Sequence, residues 1–242
     1  MKKFVNNVEE ILTESLSGFQ KAHPDIIKVH FAPDFICRVK KPAVDKVSLI
    51  SGGGSGHEPL HGGFVGHGML DAACPGQVFS APTPDQMEAA ANEVHNGKGI
   101  LFIVKNYSGD IMNFEMGADM IDFGVGIHGE PGRKREKIKT ANELTNDIIN
   151  SILEDLKPDK NEEVLMHVNG FGGTPLMELY LLFDVGQKIL EKKGINVVRS
   201  IVGNYTTSLD MAGASFSITK LDEKISQPWD SAVHTAALRW KI

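Results

Sequence analysis

The sequence predicts an α/β protein with mixed or parallel sheets, and three observations support this fold class. Short apolar runs of strand length alternate along the chain with longer segments of helical period. Two of these runs end abruptly in loops of glycine and polar residues, the arrangement with which α/β sheets build sites at the carboxyl ends of strands. The 242 residues, 41% of them hydrophobic, suffice for one large domain or two small ones. We expect two layered α/β units, residues 1–121 and 122–242.

The composition argues against several classes of protein. The formal net charge is −6 and the basic residues are scattered, so no basic stripe indicates nucleic-acid binding. No apolar run approaches the length of a membrane span, and the amino terminus leads into an acidic helix rather than a signal peptide. Cys37 and Cys74 lie far apart and fit no metal-binding spacing. We therefore expect two reduced thiols, no bound metal and a cytoplasmic protein.

Helices are predicted from apolar periodicity and from capping signals. In two of them a threonine is followed three residues later by glutamine or glutamate, the pattern of a capping box, and Pro84 occupies a first helical position. Thr174 is expected to cap another. The predicted helices are 7–21, 83–96, 140–157 and 174–193, and a further helix is expected to begin at Asp110.

Strands are predicted from short apolar runs that are rich in β-branched and aromatic residues. The strongest of them is 100–104. The predicted strands are 47–50, 100–104, 164–168, 195–202 and 215–220.

The stretch at 51–59, which reads Ser-Gly-Gly-Gly-Ser-Gly-His-Glu-Pro, invites comparison with phosphate-binding loops. It lacks the lysine and hydroxyl that end a P-loop, and His57 fills the third glycine position of the dinucleotide fingerprint. Backbone N–H groups in such a loop can still bind an anion or polarise a hydroxyl. The alternative is a purely structural turn of glycines, but this does not explain why His57 and Glu58 follow directly. We favour a functional role.

A second glycine-framed histidine, His128, lies in the stretch Gly124–Gly132. Glycines permit positive φ and leave the imidazole unshielded by neighbouring side chains. Because histidine titrates near neutrality, its unprotonated form is available as a nucleophile or base. The alternative is a turn in which the histidine only hydrogen-bonds a nearby carbonyl, and these residues alone favour neither interpretation.

Lys105 and Asp110 flank the polar turn after the strongest predicted strand. Their alternative roles are a solvated lysine and a plain helix N-cap. Together with His57 and His128 they could supply a nucleophile, a base and a cation to one small polar ligand. We predict no metal site, because the remaining histidines lack the spacing for one. The histidines predicted to be structural or surface residues are His23, His30, His61, His67, His95 and His167.

These motifs, in their order along the whole chain, resemble the substrate-binding subunit of the dihydroxyacetone kinases. A series of consecutive matches is far more specific than any single glycine pattern. The matching residues are Ser51–Pro59, Ala73–Gly76, Pro82–Asp85, Lys105–Asp110, Gly126–Gly132, Gly173–Pro175, Tyr205–Met211, Trp229-Asp230 and His234-Thr235.

The resemblance implies a role for each of five residues. His128 would bond covalently to the ketone carbon of dihydroxyacetone and form a hemiaminal. Asp110 would act as the catalytic base with help from His57, while Gly54 and Lys105 would contact the substrate. A covalent bond makes physical sense, because a three-carbon ligand offers little area to bury. It also rejects glycerol, which has no carbonyl.

The resemblance also implies partners. In the bacterial family a separate helical subunit carries ATP, or tightly held ADP that a phosphotransferase-system protein recharges. This chain stops at Ile242, directly after the substrate domain, so we expect the partner-dependent type. The expectation is a homodimer that binds no nucleotide itself and acts with a subunit carrying ATP or ADP with Mg²⁺.

A protein of a different class is the alternative. Some relatives resemble the kinase subunit and bind the ligand, but act by contacting a transcription regulator. Such a sensor needs only His128 and a pocket, so the presence of Asp110, Lys105 and His57 favours the kinase subunit.

One departure from the family is internal. In the family a substantial segment with further strands and helices separates an Asn-Phe-Glu helix from the histidine loop. Here Asn113-Phe114-Glu115 precedes His128 by only twelve residues, which puts the join near Met116. Either the protein is internally shortened, in which case strands are missing from the first sheet, or the sequence omits residues that the molecule contains.

Overall fold

The computed structural model describes residues 5–41, 46–105, 120–127 and 132–241. It confirms an α/β fold, and its two larger sheets are mixed. The chain forms two compact units, one of Met1–Tyr107 with Ser231–Ile242 and the other of Ser108–Asp230. These units differ from the proposed division at 121/122, because the last residues of the chain return to the first unit. No helix among the described residues is both long enough and apolar enough to span a bilayer.

The first unit is built on a five-stranded mixed sheet in the order β1-β2-β5-β3-β6. Strand β3 pairs in parallel with both β5 and β6, whereas β2 is antiparallel to β1 and β5. Its elements are α1 (Ile11–Ala22), β1 (Ile27–His30), β2 (Phe35–Arg38), β3 (Ser48–Ser55), β4 (Gly66–His67), β5 (Ala72–Val78), α2 (Pro84–Val94) and β6 (Ile100–Ile103).

Side chains that alternate along these strands form two apolar clusters, one on each face of the sheet. Leu12 and Leu16 of α1 pack with Ile27 and Ile36 in the first cluster. In the second cluster, α2 packs against the intervening positions of β2, β3 and β5; its members include Phe35, Cys37, Ile50, Cys74, Ala90 and Val94. The parallel strands β3 and β5 are thereby held at the centre of the unit.

Strand β6 lies at the edge of this sheet and is unusually exposed for an apolar strand. Leu101, Phe102 and Ile103 are 53%, 40% and 47% exposed, so both of its faces reach the surface. Exposed apolar edges are normally covered or interrupted in native sheets. The exposure agrees with the expectation that strands are missing from the first sheet.

A fully buried carboxylate, Asp71, ties three strands together. Its Oδ1 accepts a hydrogen bond from Arg38 Nη1 (3.1 Å), while its Oδ2 accepts from Lys46 Nζ (2.6 Å) and from the backbone N–H of Leu49 (2.8 Å). Asp71 is 0% exposed. A buried charge is tolerated only when it is paired and hydrogen-bonded in this way.

Replacing Asp71 by alanine is expected to cost about 3–5 kcal/mol of unfolding free energy, because the Arg38 guanidinium and the Leu49 N–H lose their acceptor in a buried site. Urea denaturation measures this cost. The matched control is Asp184→Ala, since the Asp184–Lys188 pair is more than 60% exposed on both sides and should contribute below about 1 kcal/mol. Equal losses for the two variants would contradict the structural role of Asp71.

The end of the chain completes the first unit. Strands β12 (Val233–Thr235) and β13 (Arg239–Trp240) form a small antiparallel sheet with β4. His234 is paired with His67, and Thr235 is paired with Gly66. The backbone N–H of Ala237 also donates to Gly63 O (2.9 Å). These hydrogen bonds are the physical reason why residues after 230 belong with the first unit.

The second unit contains a hairpin and a three-stranded sheet in the order β10-β9-β11. Strand β9 is parallel to β10 and antiparallel to β11. Helices α3 and α4 bury Ile149, Leu179 and Leu190 against this sheet. The elements are β7 (Met120–Phe123), β8 (Lys134–Lys137), α3 (Ala141–Leu156), β9 (Glu163–Gly170), α4 (Leu176–Lys192), β10 (Asn196–Gly203), β11 (Ala214–Lys220) and α5 (Glu223–Trp229).

Two predicted capping boxes are confirmed and one predicted cap is wrong. Thr83 with Gln86 opens α2, and Thr140 with Glu143 opens α3. Thr174 does not cap α4, since its hydroxyl instead donates to the carbonyl of Gly213 and accepts from the N–H of the same residue, both at 2.8 Å. The helix predicted to begin at Asp110 lies outside the described residues.

Candidate functional site

The glycine-rich stretch after residue 50 is a strand rather than the predicted loop. Strand β3 continues to Ser55, with Gly52, Gly53 and Gly54 paired in register with Cys74, Pro75 and Gly76 of β5. Glycine normally weakens a strand and marks close approach of another group. The groups that lie against this strand explain why it contains three consecutive glycines.

Two of the glycines are required by what lies against them. A Cβ atom on Gly53 would come within 2.6 Å of His61 Nε2, and one on Gly54 would come within 2.8 Å of the Ser80 backbone nitrogen. No side chain fits at either position without displacing its neighbour. Gly54 is partly accessible, so its bare backbone is available to a ligand at the end of the strand.

His61 is fixed on the glycine strand. Its Nδ1 lies 3.0 Å from Ser51 Oγ, which in turn donates to the carbonyl of Ile103 in β6 (2.8 Å). Burial lowers the pKa of His61 to about 4, and the nearby charges of Lys105 and His57 contribute to the shift. His61 is therefore neutral at physiological pH and able to donate or accept a hydrogen bond.

His57 directly follows the end of β3 and is only 6% exposed. Its ring lies 5.1 Å from the ring of Phe79, tilted by 57°. The next residue, Glu58, turns its carboxylate back to accept the N–H of Gly56 (2.9 Å to Oε2). The chain is thus bent tightly around His57, and the packing against Phe79 restricts the orientation of its imidazole.

Lys105 lies two residues beyond β6, the strand next to β3. Because β3 and β6 are parallel, the residues after them emerge at the same edge of the sheet. Lys105 is exposed, and its charge acts on His61 together with that of His57. The structure therefore brings Gly54, His57 and Lys105 to one edge, together with His61. Asp110 lies outside the described residues.

The loop that contains His128 joins the two strands of a hairpin in the second unit. Strand β7 pairs with β8, with Phe123 opposite Lys134. Beyond this pair the N–H of Arg133 donates to Phe123 O (2.6 Å), and a Cβ on Gly132 would lie 2.7 Å from the same oxygen. The two ends of the loop are therefore clamped together. His128 itself lies outside the described residues.

A cleft of about 300 Å³ opens beside the start of this loop. This volume is at the lower end of the range for ligand-binding pockets. It is larger than the volume of a three-carbon molecule. It is lined by Val125, Gly126, Ile127, His167, Asn169, Phe171, Thr206, Ser215 and Ser217. In the first unit, by contrast, the cavity beneath β3 and β6 has about 20 Å³ and an apolar lining, so it is too small to hold a substrate.

The floor of the cleft carries two polar residues of β9. Asn169 makes three hydrogen bonds: its Oδ1 accepts the N–H groups of Tyr205 and Thr206 (both 2.9 Å) and its Nδ2 donates to Thr206 O (2.8 Å). His167 Nε2 is buried and has no hydrogen-bond partner among the described residues. Burial also lowers the pKa of His167. His167 thus lines the cleft as a residue whose burial disfavours its protonated form.

His61 and His167 were predicted to be structural or surface residues, but the structure places both at candidate sites. His61 contacts the site through Ser51, and His167 lines the cleft of the second unit. A partial signal existed for His61, which lies between two glycine-rich runs. His167 occurs within an apolar strand, and nothing near it in the sequence distinguishes it from a core residue.

The first unit is thus an α/β unit whose parallel strands bring Gly54, His57 and Lys105 to one edge of the sheet. The profile of the Dak1 domain family matches residues 17–123 and 116–237. The chain belongs to the Dak1 domain family.

Curated relatives match over nearly the whole chain. The PEP-dependent dihydroxyacetone kinase, dihydroxyacetone-binding subunit DhaK of Escherichia coli is 29% identical over 355 aligned positions, covering 99% of both chains. The PTS-dependent counterpart from Lactococcus lactis is 32% identical and covers 92% of this chain and 94% of its own. The DhaKLM operon coactivator DhaQ of the same species is 27% identical over 91% of this chain and 95% of its own.

A solved structure described as "Regulation of the dha operon of Lactococcus lactis" has the same fold. It superposes with a TM-score of 0.88 at 26% identity and covers 98% of each chain.

These alignments bear on the internal departure from the family. An alignment of 355 positions with a chain of 242 residues leaves more than a hundred positions without a residue here. The two segments matched by the family profile meet at 116–123, which includes the join expected near Met116. The exposed apolar strand β6 ends shortly before this point.

Proposed function

We propose that this protein is the dihydroxyacetone-binding subunit of a dihydroxyacetone kinase and works with a partner that carries ATP or ADP with Mg²⁺. The observation that carries the proposal is the match to DhaK subunits along almost the entire chain, together with Gly54, His57 and Lys105 at one sheet edge. We include in the proposal a homodimer in the cytoplasm. The two buried free cysteines are compatible with that compartment.

In the proposed capture step, the imidazole of His128 adds to the ketone carbon of dihydroxyacetone. A nitrogen lone pair forms the new N–C bond, the imidazole gives up its N–H proton, and the carbonyl oxygen takes up one proton to become a hydroxyl. No water leaves, so the product is a hemiaminal with the mass of protein plus intact ligand. The clamped ends of the hairpin loop support this role, because they restrict the loop that carries the nucleophile.

In the proposed transfer step, a terminal hydroxyl of the captured ligand attacks the phosphoryl group presented by the partner. Asp110 accepts the hydroxyl proton as general base, and His57 donates a hydrogen bond near the reacting oxygen. Lys105 supplies positive charge as negative charge develops, and Gly54 offers a backbone contact. Neutral His61 lies against Ser51 and Gly53 of β3, the strand that carries Gly54, and so helps to hold that strand in place.

The proposal is tested by reconstitution. The purified chain is mixed with dihydroxyacetone, ATP, Mg²⁺ and the nucleotide-carrying subunit of the same organism, and dihydroxyacetone phosphate is measured. We expect product only when both proteins are present, and none with glycerol in place of the ketone. Absence of product with every component folded and mixed would contradict the kinase function.

The second candidate function is a dihydroxyacetone sensor that contacts a transcription regulator. The resemblance to the operon coactivator of Lactococcus lactis favours it. The two functions differ in outcome, because a sensor captures dihydroxyacetone but yields no phosphate ester with the partner subunit. Capture without turnover would therefore select the sensor.

Replacing His57 by alanine should slow phosphoryl transfer about tenfold to a hundredfold, the loss expected for a hydrogen bond to a group that develops charge. The adduct on His128 should still form. Single-turnover kinetics measure the first effect and native mass spectrometry measures the second. The control is His67→Ala, since His67 is exposed on β4 and should leave both unchanged. An unchanged rate of phosphoryl transfer in the His57→Ala variant would show that His57 has only a structural role.

A further inference from the structure

A histidine, a cysteine and a glutamate meet on the face of the first sheet that α2 covers. They are His30 at the end of β1, Cys37 in β2 and Glu93 in the last turn of α2. One ligating atom from each residue lies within 4.8 Å of the others. The three residues come from three different elements, so no spacing in the sequence indicates them.

The ring of His30 is held by an aromatic neighbour. Its ring stacks on Phe35, with centroids 4.2 Å apart and planes inclined by only 6°. Its Nε2 is buried and has no hydrogen-bond partner among the described residues. A buried polar atom without a partner costs free energy, and a coordinated cation would remove this cost.

Cys37 and Glu93 supply the complementary charge. The Cys37 thiol is free and buried, and among the described residues the ion pair of Glu93 is a long one, 3.9 Å to the exposed Lys41. The two negative charges of a thiolate and a carboxylate neutralise a divalent ion. This lowers the free-energy cost of burying its charge. Sulfur, imidazole and carboxylate are together the donor set of Zn²⁺.

We propose that His30, Cys37 and Glu93 form a site for one divalent zinc-like cation, with water as the fourth ligand. Ligand atoms around tetrahedral zinc are roughly 3.3–3.8 Å apart, given Zn–S and Zn–N bonds of about 2.3 and 2.0 Å. The observed separations of up to 4.8 Å therefore require a small closure. Glu93 can provide it, because its side chain is long, partly exposed and only weakly paired with Lys41.

The site goes beyond the proposed kinase function and does not depend on it. Its ligands belong to β1, β2 and α2, while the proposed substrate contacts of this unit lie at or beyond the ends of β3 and β6. A bound ion would connect the β1–β2 hairpin to the carboxyl end of α2. The expected effect is stabilisation of the first unit, since a ligand that binds only the folded state raises its stability.

Cobalt(II) is a suitable probe, because its spectrum reports both geometry and sulfur ligation. Chelator-treated protein is titrated with Co²⁺ alone, and then with Zn²⁺ in competition. We expect one equivalent to bind, with visible bands of tetrahedral cobalt and a near-ultraviolet thiolate charge-transfer band. One equivalent of Zn²⁺ should bleach these bands and raise the Tm.

Variants of the ligands and of a second cysteine decide the outcome. Cys37→Ala should abolish the charge-transfer band, whereas Cys74→Ala, which removes the other buried thiol, should keep it. His30→Gln and Glu93→Gln should each weaken binding at least tenfold and give a second route if Cys37→Ala does not fold. The proposal is overturned if wild-type protein shows no thiolate band, or if the band persists in Cys37→Ala. Cobalt binding without sulfur ligation would likewise assign the ion to other histidines and reject this site.

Discussion

Replacement of His128 by alanine is expected to abolish covalent capture of dihydroxyacetone. Wild-type protein soaked with the ketone should gain the mass of one intact ligand, because addition to the carbonyl releases no water. The alanine variant should gain nothing, since it has no lone pair to form the N–C bond. Capture by the wild type should also weaken in acid, because an imidazolium cannot act as a nucleophile. Native mass spectrometry across a pH series measures both effects.

Two controls make this result specific to His128. His95→Ala removes an exposed histidine at the end of α2 and should leave the adduct intact. Glycerol should add no mass to any variant, because it has no electrophilic carbon. Two results would refute His128 as the nucleophile. One is an adduct that survives in His128→Ala. The other is an adduct that has lost one water, as a Schiff base on Lys105 does.

Replacement of Asp110 by asparagine is expected to slow phosphoryl transfer by about a hundredfold to ten-thousandfold, the usual cost of losing a general base. Capture should continue nearly unchanged, because the carboxylate acts on the hydroxyl and not on the carbonyl. The variant should therefore accumulate adduct without product. Single-turnover kinetics with the ATP-loaded partner, followed in parallel by native mass spectrometry, separate the two steps.

A helix cap supplies the control for Asp110, since N-capping is the competing explanation for an aspartate at that position. The carboxylate of Asp222 accepts the N–H of Ile225 (2.9 Å) at the start of α5. Asp222→Asn should keep full turnover, because asparagine caps a helix about as well as aspartate. If Asp110→Asn behaves in the same way, Asp110 is a cap and another residue is the base.

Local signals in the sequence were sufficient for most helices and for the longer strands. The capping boxes of Thr83 and Thr140 were found because their partners lie three residues away. Thr174 was misassigned for the opposite reason, since its hydroxyl bonds to Gly213, 39 residues further on. Strands β1, β2 and β5 were not predicted either; β5 pairs with β2 and β3, which lie more than fifteen residues earlier in the chain.

The candidate site was predictable where glycine marked it. Gly54 lies near the end of β3, and His57 and Lys105 follow β3 and β6; all three lie in unusual local sequence, and the structure brings them to one edge. His61 and His167 required the fold, because their roles depend on Ser51 and on the register of β9 with its neighbours. The cluster of His30, Cys37 and Glu93 was missed for the same reason.

The pairing of β12 with β4 has a consequence for how the protein is made. The first unit contains both early and late segments of the chain, while the second unit is continuous between them. During synthesis the second unit can fold as soon as it leaves the ribosome, since domains generally fold as units in order of emergence. The five-stranded sheet of the first unit lies entirely within Ile27–Ile103, but β4 cannot pair with β12 until residues 233–240 arrive. Closing so long a loop is slow. Release of the chain before residue 233 should therefore yield a protein that lacks the small sheet of β4, β12 and β13.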